Sequence, residues 1–259
     1  MIKNIIIFAI FSISIISKPC AKDGILYVSV ASSLYNVSKS LVMEWSKESK
    51  VKARIITGPT SLIARQINNG QMSDVIISAN QDWLAWMSDR NLIYNKSTTT
   101  IAKNSLVLIT GINQGFFIDI NSDNFNKDLK EHLSSSMFPI PHPSTVPLGI
   151  YTKQALKSMN LWDLLKEKLV FTSSSRSNLK FISQEEAVFG ISYFSDVFSS
   201  SKVKIISYID EEKFYYDKPT YWAAKIKRNK DDNDFGFLEW LRSEKAQKII
   251  KSYGFESVK

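Results

Sequence analysis

The sequence predicts an α/β protein made of two lobes, each a mostly parallel sheet flanked by helices. Three observations lead to this prediction. Strand and helix patterns alternate along most of the chain, which favours parallel strands connected by helices. A polar stretch over residues 111–136 interrupts the alternation, which then resumes and continues to the end of the chain. The 259 residues, of which 44% are hydrophobic, suffice for two cores of roughly 120 residues each.

The predicted first lobe opens with a strand, a helix and a second strand. Residues 25–31 (ILYVSVA) are rich in β-branched and aromatic side chains, which predicts a buried strand. Ser32 and Ser33 follow as candidate N-cap residues of a helix. Its apolar positions recur at helical spacing: Leu34, Val37, Leu41 and Trp45. A second strand over residues 51–57 ends at the turn Gly58-Pro59-Thr60-Ser61, after which another helix begins.

The remaining strand and helix patterns are shorter and continue the alternation. Strands are predicted over residues 74–78, 105–110, 137–140, 169–172, 188–192, 203–209 and 220–226. Helices are predicted over residues 62–70, 80–89, 148–159 and 235–252, with a short helix inside the polar stretch. We expect the chain to build one unit, cross to a second and return. The predicted first lobe comprises residues 22–103 plus 224–259, and the second comprises residues 104–223.

Composition removes several classes of function. Lys and Arg total 33 against 25 Asp and Glu, a net charge of +8, which favours anionic partners without specifying a fold. One cysteine, Cys20, and two histidines, His132 and His142, allow neither a disulfide framework nor a His/Cys metal cluster. The basic residues are dispersed, so no nucleic-acid surface is expected. The sequence contains no GxSxG, Walker, HExxH or GxGxxG motif, and we expect no enzyme.

Residues 1–21 are predicted to be a signal peptide. Lys3 precedes an apolar run over residues 5–16, which is too short for a transmembrane helix of about 20 residues. Ala21 suits the position before the cleavage site. Lipid anchoring at Cys20 is the alternative, although Ser17-Lys18-Pro19 is a poor signal for it. Removal of this segment takes away Lys3 and Lys18, which lowers the net charge from +8 to +6.

Hydroxyl side chains stand at four turns between a predicted strand and a helix. These turns are Ser32-Ser33, Thr60-Ser61, Ser144-Thr145 and Ser173-Ser174-Ser175. Helix N-termini present unpaired N–H groups and a partial positive charge, and in open parallel sheets they lie where ligands bind. Because Ser and Thr are also the commonest N-caps, each turn alone has a purely structural explanation. Together they indicate an anion site without identifying the anion.

Several ordered motifs match one known family. They are VSVASSLYNV, TSLIARQINNGQMSDVIISANQDWLAWM, AKNSLVLI, VPLGIYTKQAL, VFGISYFSDV and AQKIIKSYGF. Together they resemble the periplasmic molybdate-binding proteins of ABC importers, which are type II solute-binding proteins. The resemblance covers nearly the whole chain after residue 21. It implies the type II periplasmic-binding-protein fold, in which two lobes joined by two strand crossings hold a tetrahedral oxyanion in their cleft.

The resemblance implies five oxyanion-binding residues. Ser33 and Thr60 fall at the family's two first-lobe serines. Leu148 and Ser175 fall where the family uses backbone N–H groups. Tyr193 matches a tyrosine whose hydroxyl reaches the anion. No direct ligand to molybdenum and no cofactor is implied, because the metal enters only inside the bound oxyanion.

Three positions depart from the family pattern. Gly58-Pro59-Thr60 replaces the family's usual serine pair, where Pro59 has no N–H and Thr60 keeps a hydroxyl with an added methyl group. Leu148 replaces a small residue, which is tolerable if only its backbone binds. His142 stands where the family usually has an aspartate before proline.

The expected function is that of a monomeric periplasmic receptor. It would capture molybdate, and also tungstate, and deliver the anion to the membrane permease of an ABC importer. Another oxyanion, such as sulfate or thiosulfate, is the alternative. A secreted hydrolase is the remote alternative, since a serine nucleophile would need His132 or His142 as its base and neither lies in a motif for that role.

Overall fold

The computed structural model of the protein describes residues 24–115, 118–120, 122, 125–133, 136–227 and 234–258. The predicted signal peptide, including Cys20, lies outside these residues. Across the ranges that are described, no helix has both the length and the apolar content needed to cross a membrane.

The described strands and helices alternate over most of the chain. The strands are β1 (Ile25–Ala31), β2 (Lys52–Gly58), β3 (Val75–Ser78), β4 (Thr99–Lys103), β5 (Leu106–Gly111), β6 (Phe138–Pro141), β7 (Leu169–Thr172), β8 (Phe189–Tyr193), β9 (Val203–Ile209), β10 (Thr220–Lys225) and β11 (Glu256–Ser257). The α-helices are α1 (Tyr35–Ser49), α2 (Thr60–Asn68), α3 (Gln81–Asp89), α4 (Phe125–His132), α5 (Pro147–Ser158), α6 (Trp162–Leu165), α7 (Ser175–Ser183), α8 (Phe194–Phe198), α9 (Phe237–Trp240) and α10 (Glu244–Ser252). Short 3-10 helices cover Ser32–Leu34, Asn95–Ser97 and Lys166–Lys168.

The first lobe is built on a six-stranded sheet in the order β11-β4-β10-β3-β1-β2. Strand β1 runs parallel to β2 and β3, whereas β10 runs antiparallel to β3 and β4. Leu26, Val28 and Val30 of β1 are fully buried in one core with Leu41 and Trp45 of α1. The apolar spacing of strand and helix therefore forms the packing layer that the sequence predicts.

The second lobe contains an antiparallel sheet in the order β8-β5-β9 and a parallel pair, β6 and β7. The α/β class and the two-lobed arrangement are thus confirmed. The sheets are mixed rather than mostly parallel. The reason is that β4, β5, β9 and β10 reach their partners through long connections, and pairing direction across such a connection leaves no trace in the local sequence pattern.

Two segments carry the chain between the lobes. The first is the step from β4 to β5, where the backbone N–H of Asn104 donates to the carbonyl of Pro219 at 2.8 Å. The second is the return into β10 after Pro219. The crossing that we expected between residues 223 and 224 falls inside β10, and β10 pairs with β3 and β4 in the first-lobe sheet.

The first turns of α5 and α7 are held in place by local chemistry. A Cβ atom on Gly149, in the first turn of α5, would lie 2.1 Å from the carbonyl oxygen of Pro141. Glycine therefore lets α5 begin directly against the end of β6. Helix α7 begins with a capping box, in which Ser174 Oγ accepts from the N–H of Ser177 at 3.0 Å and Ser177 Oγ accepts from the N–H of Ser174 at 2.8 Å.

Candidate anion-binding site

A small cavity lies between the lobes, where several helices begin. Its lining residues are Ala31, Ser32, Ser33, Pro59, Thr60, Ala79, Val146, Pro147, Leu148, Ser175 and Tyr193. The structure brings all five residues named from the sequence to this one cavity. Its volume is about 10 Å³, on the scale of one water-sized sphere. The two lobes are therefore closed around a small space, which favours a compact ligand over a sugar or an amino acid.

The first-lobe wall of the cavity presents two buried hydroxyl groups. Ser33 Oγ accepts a hydrogen bond from the hydroxyl of Tyr221 at 3.2 Å. Thr60 Oγ1 accepts from the backbone N–H of Ala79 at 3.2 Å. Each oxygen accepts one hydrogen bond from the protein, which leaves its own proton and one lone pair for a further partner.

The second-lobe wall presents the first turns of α5 and α7. Leu148 is the second residue of α5 and Ser175 is the first residue of α7, so their N–H groups have no partner inside the helix. Both stand at the positive end of a helix dipole. The side chain of Leu148 is buried in the second-lobe core, which explains how a large residue fits a position that would bind through its backbone.

Tyr193 adds a side-chain donor to the second-lobe wall. Its hydroxyl is buried and has no hydrogen-bond partner among the described residues. Burial, and after it the neighbouring Tyr221, Tyr151 and Asp196, raise the pKa of Tyr193 well above its ordinary value. The phenol is therefore a neutral donor at physiological pH. A buried hydroxyl without a partner costs about 1–3 kcal/mol, which points to a ligand acceptor in the cavity.

The electrostatics of the cavity come from dipoles rather than charges. None of the lining residues is ionisable at neutral pH, since Tyr193 keeps its proton. The neighbouring Arg176 Nε donates to the carbonyl of Ser32 at 2.9 Å, and its guanidinium carbon lies 4.5 Å from the centre of the Tyr35 ring. In the part of the chain that the structure covers, no group of three or more His, Cys, Asp or Glu side chains could hold a metal ion.

The lobes contact each other on several sides of the cavity. Ser32 Oγ and Ser175 Oγ are 3.1 Å apart and share a hydrogen bond. Trp83 Nε1 donates to the carbonyl of Thr145 at 3.1 Å. Together with the bond from Arg176 to Ser32, these contacts close the cleft over the cavity.

Two hydroxyl-bearing residues at the site are absent from the five binding residues named from the sequence. Ser32 lines the cavity and bonds to Ser175 across the cleft, and its signal was the serine pair at the start of the first helix. Tyr221 contacts Ser33 from 188 residues away, and no local pattern marks it. His142, which departs from the family pattern, lines a separate interlobe pocket with Arg65, and its ring centre lies 5.6 Å from that of Phe171.

Pro59 is compatible with the fold of the first-lobe wall. It is the N-cap residue of α2, and its carbonyl accepts from the N–H of Ile63 at 3.1 Å. Since the residue lies before the first helical turn, α2 loses no hydrogen bond through the missing N–H. Proline at this position therefore leaves Thr60 at the start of the helix.

Comparison with known proteins places this geometry in a family. The chain is 29% identical to the molybdate-binding protein ModA of Escherichia coli, over 97% of this chain and 96% of that protein. It is 27% identical to ModA of Haemophilus influenzae over 89% of each. The structure of the periplasmic molybdate-binding protein of Azotobacter vinelandii has the same fold, with a TM-score of 0.75 at 20% identity over 90% of this chain and all of that one. Residues 26–256 match the bacterial extracellular solute-binding proteins, and the chain belongs to that family.

Proposed function

We propose that the protein is a periplasmic receptor that captures molybdate, and also tungstate, and delivers it to the membrane permease of an ABC importer. The observation that carries this proposal is a closed cavity between two lobes, lined by hydroxyl groups and helix N-termini and by no ionisable side chain at neutral pH. Such a site suits a small anion. The names of the two sequence relatives, both molybdate-binding proteins, support the choice among anions.

The proposed donors are the hydroxyls of Ser33, Thr60 and Tyr193 and the backbone N–H groups of Leu148 and Ser175. A hydrogen bond to a charged acceptor is worth about 1.5–3 kcal/mol, so a few of them can hold a dianion without a salt bridge. The oxyanion carries its own metal, so no bond from protein to metal and no cofactor is needed. Phosphate is disfavoured, because its protonated form has an O–H that finds no acceptor, at a cost of about 1–3 kcal/mol.

Delivery would depend on lobe movement about the two crossings. We assign residues 24–103 plus 220–258 to the first lobe and residues 104–219 to the second, since this division keeps β10 whole. Closure over the anion would signal a loaded receptor to the permease, as a population shift driven by tighter binding to the closed form. We expect a monomer, which light scattering of the purified protein would test.

Export would remove residues 1–21 before the receptor acts. The intact mass of the protein isolated from its own cell envelope tests this expectation. A mass that corresponds to a chain beginning at Lys22 supports cleavage after Ala21. An added lipid mass on a chain that begins at Cys20 would instead support the membrane-anchored alternative.

Thermal unfolding of the mature protein with molybdate, tungstate, sulfate, thiosulfate and phosphate tests the ligand. A ligand at 100 times its Kd stabilises the folded state by about 2.7 kcal/mol, which is a readily measured rise in Tm. We expect this rise with molybdate and tungstate. If no oxyanion raises Tm, the proposal is wrong. An equal rise with sulfate or thiosulfate would favour the alternative ligand instead.

Replacement of one donor tests the position of the site. Ser33→Ala removes a hydroxyl from the first-lobe wall and should weaken molybdate binding about tenfold or more. Ser40→Ala is the matched control, because its hydroxyl bonds to Tyr253, 2.6 Å away, and does not line the cavity. Titration calorimetry would compare both with the wild type. Equal affinity of Ser33→Ala and Ser40→Ala would place the site elsewhere.

A further inference from the structure

A directed chain of hydrogen bonds runs from the crossing between the lobes to the cavity. Asn104 Nδ2 donates to the hydroxyl oxygen of Tyr221 at 3.2 Å. The hydroxyl of Tyr221 donates in turn to Ser33 Oγ at 3.2 Å. Asn104 and Tyr221 are 1% and 0% exposed, so water cannot replace either bond. These hydrogen bonds therefore link the β4–β5 crossing to Ser33, a residue that we propose binds the anion.

The orientation of the Asn104 amide is fixed by its other partners. Its Oδ1 accepts from the backbone N–H of Ser105 at 3.0 Å and from that of Ser195 at 3.4 Å. Its Nδ2 also donates to Ser195 Oγ at 2.8 Å. A flipped amide would turn its two N–H bonds toward two backbone N–H groups. The nitrogen must therefore face Tyr221, and Tyr221 must accept from it.

The same donor-to-acceptor direction continues from Tyr221 to Ser33. Since the oxygen of Tyr221 accepts from Asn104, its own proton is directed to Ser33 Oγ. Burial raises the pKa of Tyr221 far above its ordinary value, so the phenol keeps this proton. Ser33 Oγ then accepts from Tyr221, and the proton of Ser33 is left for the cavity. In the same way, the N–H of Ala79 donates a hydrogen bond to Thr60 Oγ1.

We propose that Tyr221, oriented by Asn104, is a specificity-determining positioning residue that supplies the donor to Ser33 Oγ, favours Ser33 as a donor to the ligand and thereby disfavours oxyanions that carry a proton. The inference rests on the proposed function of the same cavity. A serine that is free to rotate could turn an oxygen lone pair toward the ligand and accept from the O–H of hydrogen phosphate. With Tyr221 in place this arrangement is disfavoured, because Ser33 Oγ already has a donor and accepting a second bond from the ligand would turn its own proton away from the ligand.

Tyr221→Phe is the decisive variant, because it removes the hydroxyl and keeps the ring, whose centre lies 6.1 Å from that of Tyr193 and 5.3 Å from that of Phe255. Titration calorimetry near neutral pH would measure molybdate and phosphate binding. We expect molybdate to bind about threefold to tenfold more weakly, on the scale of one lost hydrogen bond. We expect the ratio of molybdate affinity to phosphate affinity to fall further, by about tenfold or more.

A double-mutant cycle separates positioning from general damage. In the Ser33→Ala background, Tyr221→Phe should change molybdate affinity by less than about twofold, because its target is already gone. Tyr216→Phe is the matched control. Its buried hydroxyl donates to the carbonyl of Ile209 at 2.9 Å in the second-lobe core, away from the cavity lining. It should lower Tm and leave the affinity ratio unchanged.

A second variant covers the case in which Tyr221→Phe fails to fold. Asn104→Asp replaces Nδ2 by an oxygen that accepts, so Tyr221 would donate to it rather than to Ser33. The added charge acts on both dianions alike, and the affinity ratio should again fall.

The outcomes separate the two proposals. An unchanged ratio in the folded variant, or an equal loss of molybdate affinity with and without Ser33, would overturn the positioning role and leave the proposed function standing. A wild-type protein that binds no oxyanion would overturn the proposed function itself.

Discussion

The two walls of the cavity both present hydrogen-bond donors, but they build them differently. The first-lobe wall uses side-chain hydroxyls whose oxygens already accept from Tyr221 and from the N–H of Ala79. The second-lobe wall uses the first turns of two helices and one phenol that has no partner among the described residues. The donors of the first wall are held by the lobe itself, whereas Tyr193 would find its acceptor only in a ligand.

This difference shows at which positions the identity of the side chain matters for binding. On the first wall, a substitution at Ser33 or Thr60 removes the donor directly. On the second wall, the donors at Leu148 and Ser175 are backbone groups, so the position of the helix matters more than the side chain. Gly149 illustrates the point, since a Cβ atom 2.1 Å from the carbonyl oxygen of Pro141 would push α5 away from the end of β6 and so move its first turn.

The largest expected effect separates stability from binding on the second wall. Leu148→Ala should lower the free energy of unfolding by about 2–5 kcal/mol, because it opens a space in the second-lobe core. Molybdate affinity should change less than about threefold, since the proposed donor is the backbone N–H. Chemical denaturation and calorimetry would measure the two quantities. Leu148→Met, which conserves volume, should cost less than about 1.5 kcal/mol. A tenfold loss of affinity in either variant would contradict the backbone role.

Tyr193→Phe should have the opposite effects, with weaker molybdate binding and no loss of stability. Loss of a hydroxyl that donates to an anion should weaken molybdate binding about tenfold, or by roughly 1.5–3 kcal/mol. Without ligand, the variant should be as stable as the wild type or more stable, because a buried hydroxyl without a partner is removed. Calorimetry and unfolding in the absence of oxyanion would check both parts. A clear loss of stability in the ligand-free protein would mean that the hydroxyl has a structural partner.

The carboxyl group of Asp196 should make stability depend on pH. Burial raises the pKa of Asp196 to about 7, against the opposing effect of Arg176. Between about pH 4 and pH 7 the folded protein holds a proton that the unfolded chain has lost, so stability falls as pH rises through this window. We expect Asp196→Asn to flatten this dependence by on the order of 1–2 kcal/mol, allowing for partial solvent screening. Denaturant unfolding at pH 5 and pH 8 would measure it, and parallel curves for both proteins would contradict the prediction.

The smallest expected effect concerns closure across the walls. Arg176 donates from the second lobe to the carbonyl of Ser32 and, at 2.9 Å, to the side chain of Asn36. Arg176→Lys keeps the charge but loses this paired geometry. It should weaken molybdate binding about threefold through less favourable closure. Lys180→Ala, on the same helix, is the control and should bind as the wild type does. Equal affinity of Arg176→Lys and wild type would remove Arg176 from the closure.

Much of the fold could be predicted from the sequence because local patterns determine it. Strand β1 and helix α1 have strong apolar periodicity and a clear boundary at Ser32. Strand β4 was missed, because TTIAK is short and polar, and its strand state depends on pairing with β10 and β11. The antiparallel pairing of β5 was missed for the same reason. Contacts between distant segments have no signature in a single window of sequence.

The same distinction between local patterns and contacts of distant segments applies to the candidate site. Hydroxyls at helix starts predicted an anion site from local sequence, and the family resemblance supplied Ser33, Thr60, Leu148, Ser175 and Tyr193. Their role as ligands stays a prediction. Tyr221 could not be found, because its contacts with Asn104 and Ser33 span 117 and 188 residues. The hydrogen bonds that support the proposed binding residues depend on tertiary structure, whereas local sequence motifs mark the binding residues themselves.

Among the residues that the structure describes, no charged side chain lines the cavity, which has a consequence for the setting in which the receptor works. Dissolved ions weaken attraction between charges separated by more than about 8–10 Å at physiological ionic strength. Hydrogen bonds at contact distance inside a closed cavity lie well within that range. Added salt should therefore slow the approach of the anion to a protein of net positive charge while leaving its residence time almost unchanged. A receptor built in this way keeps its cargo when the salinity outside the cell varies.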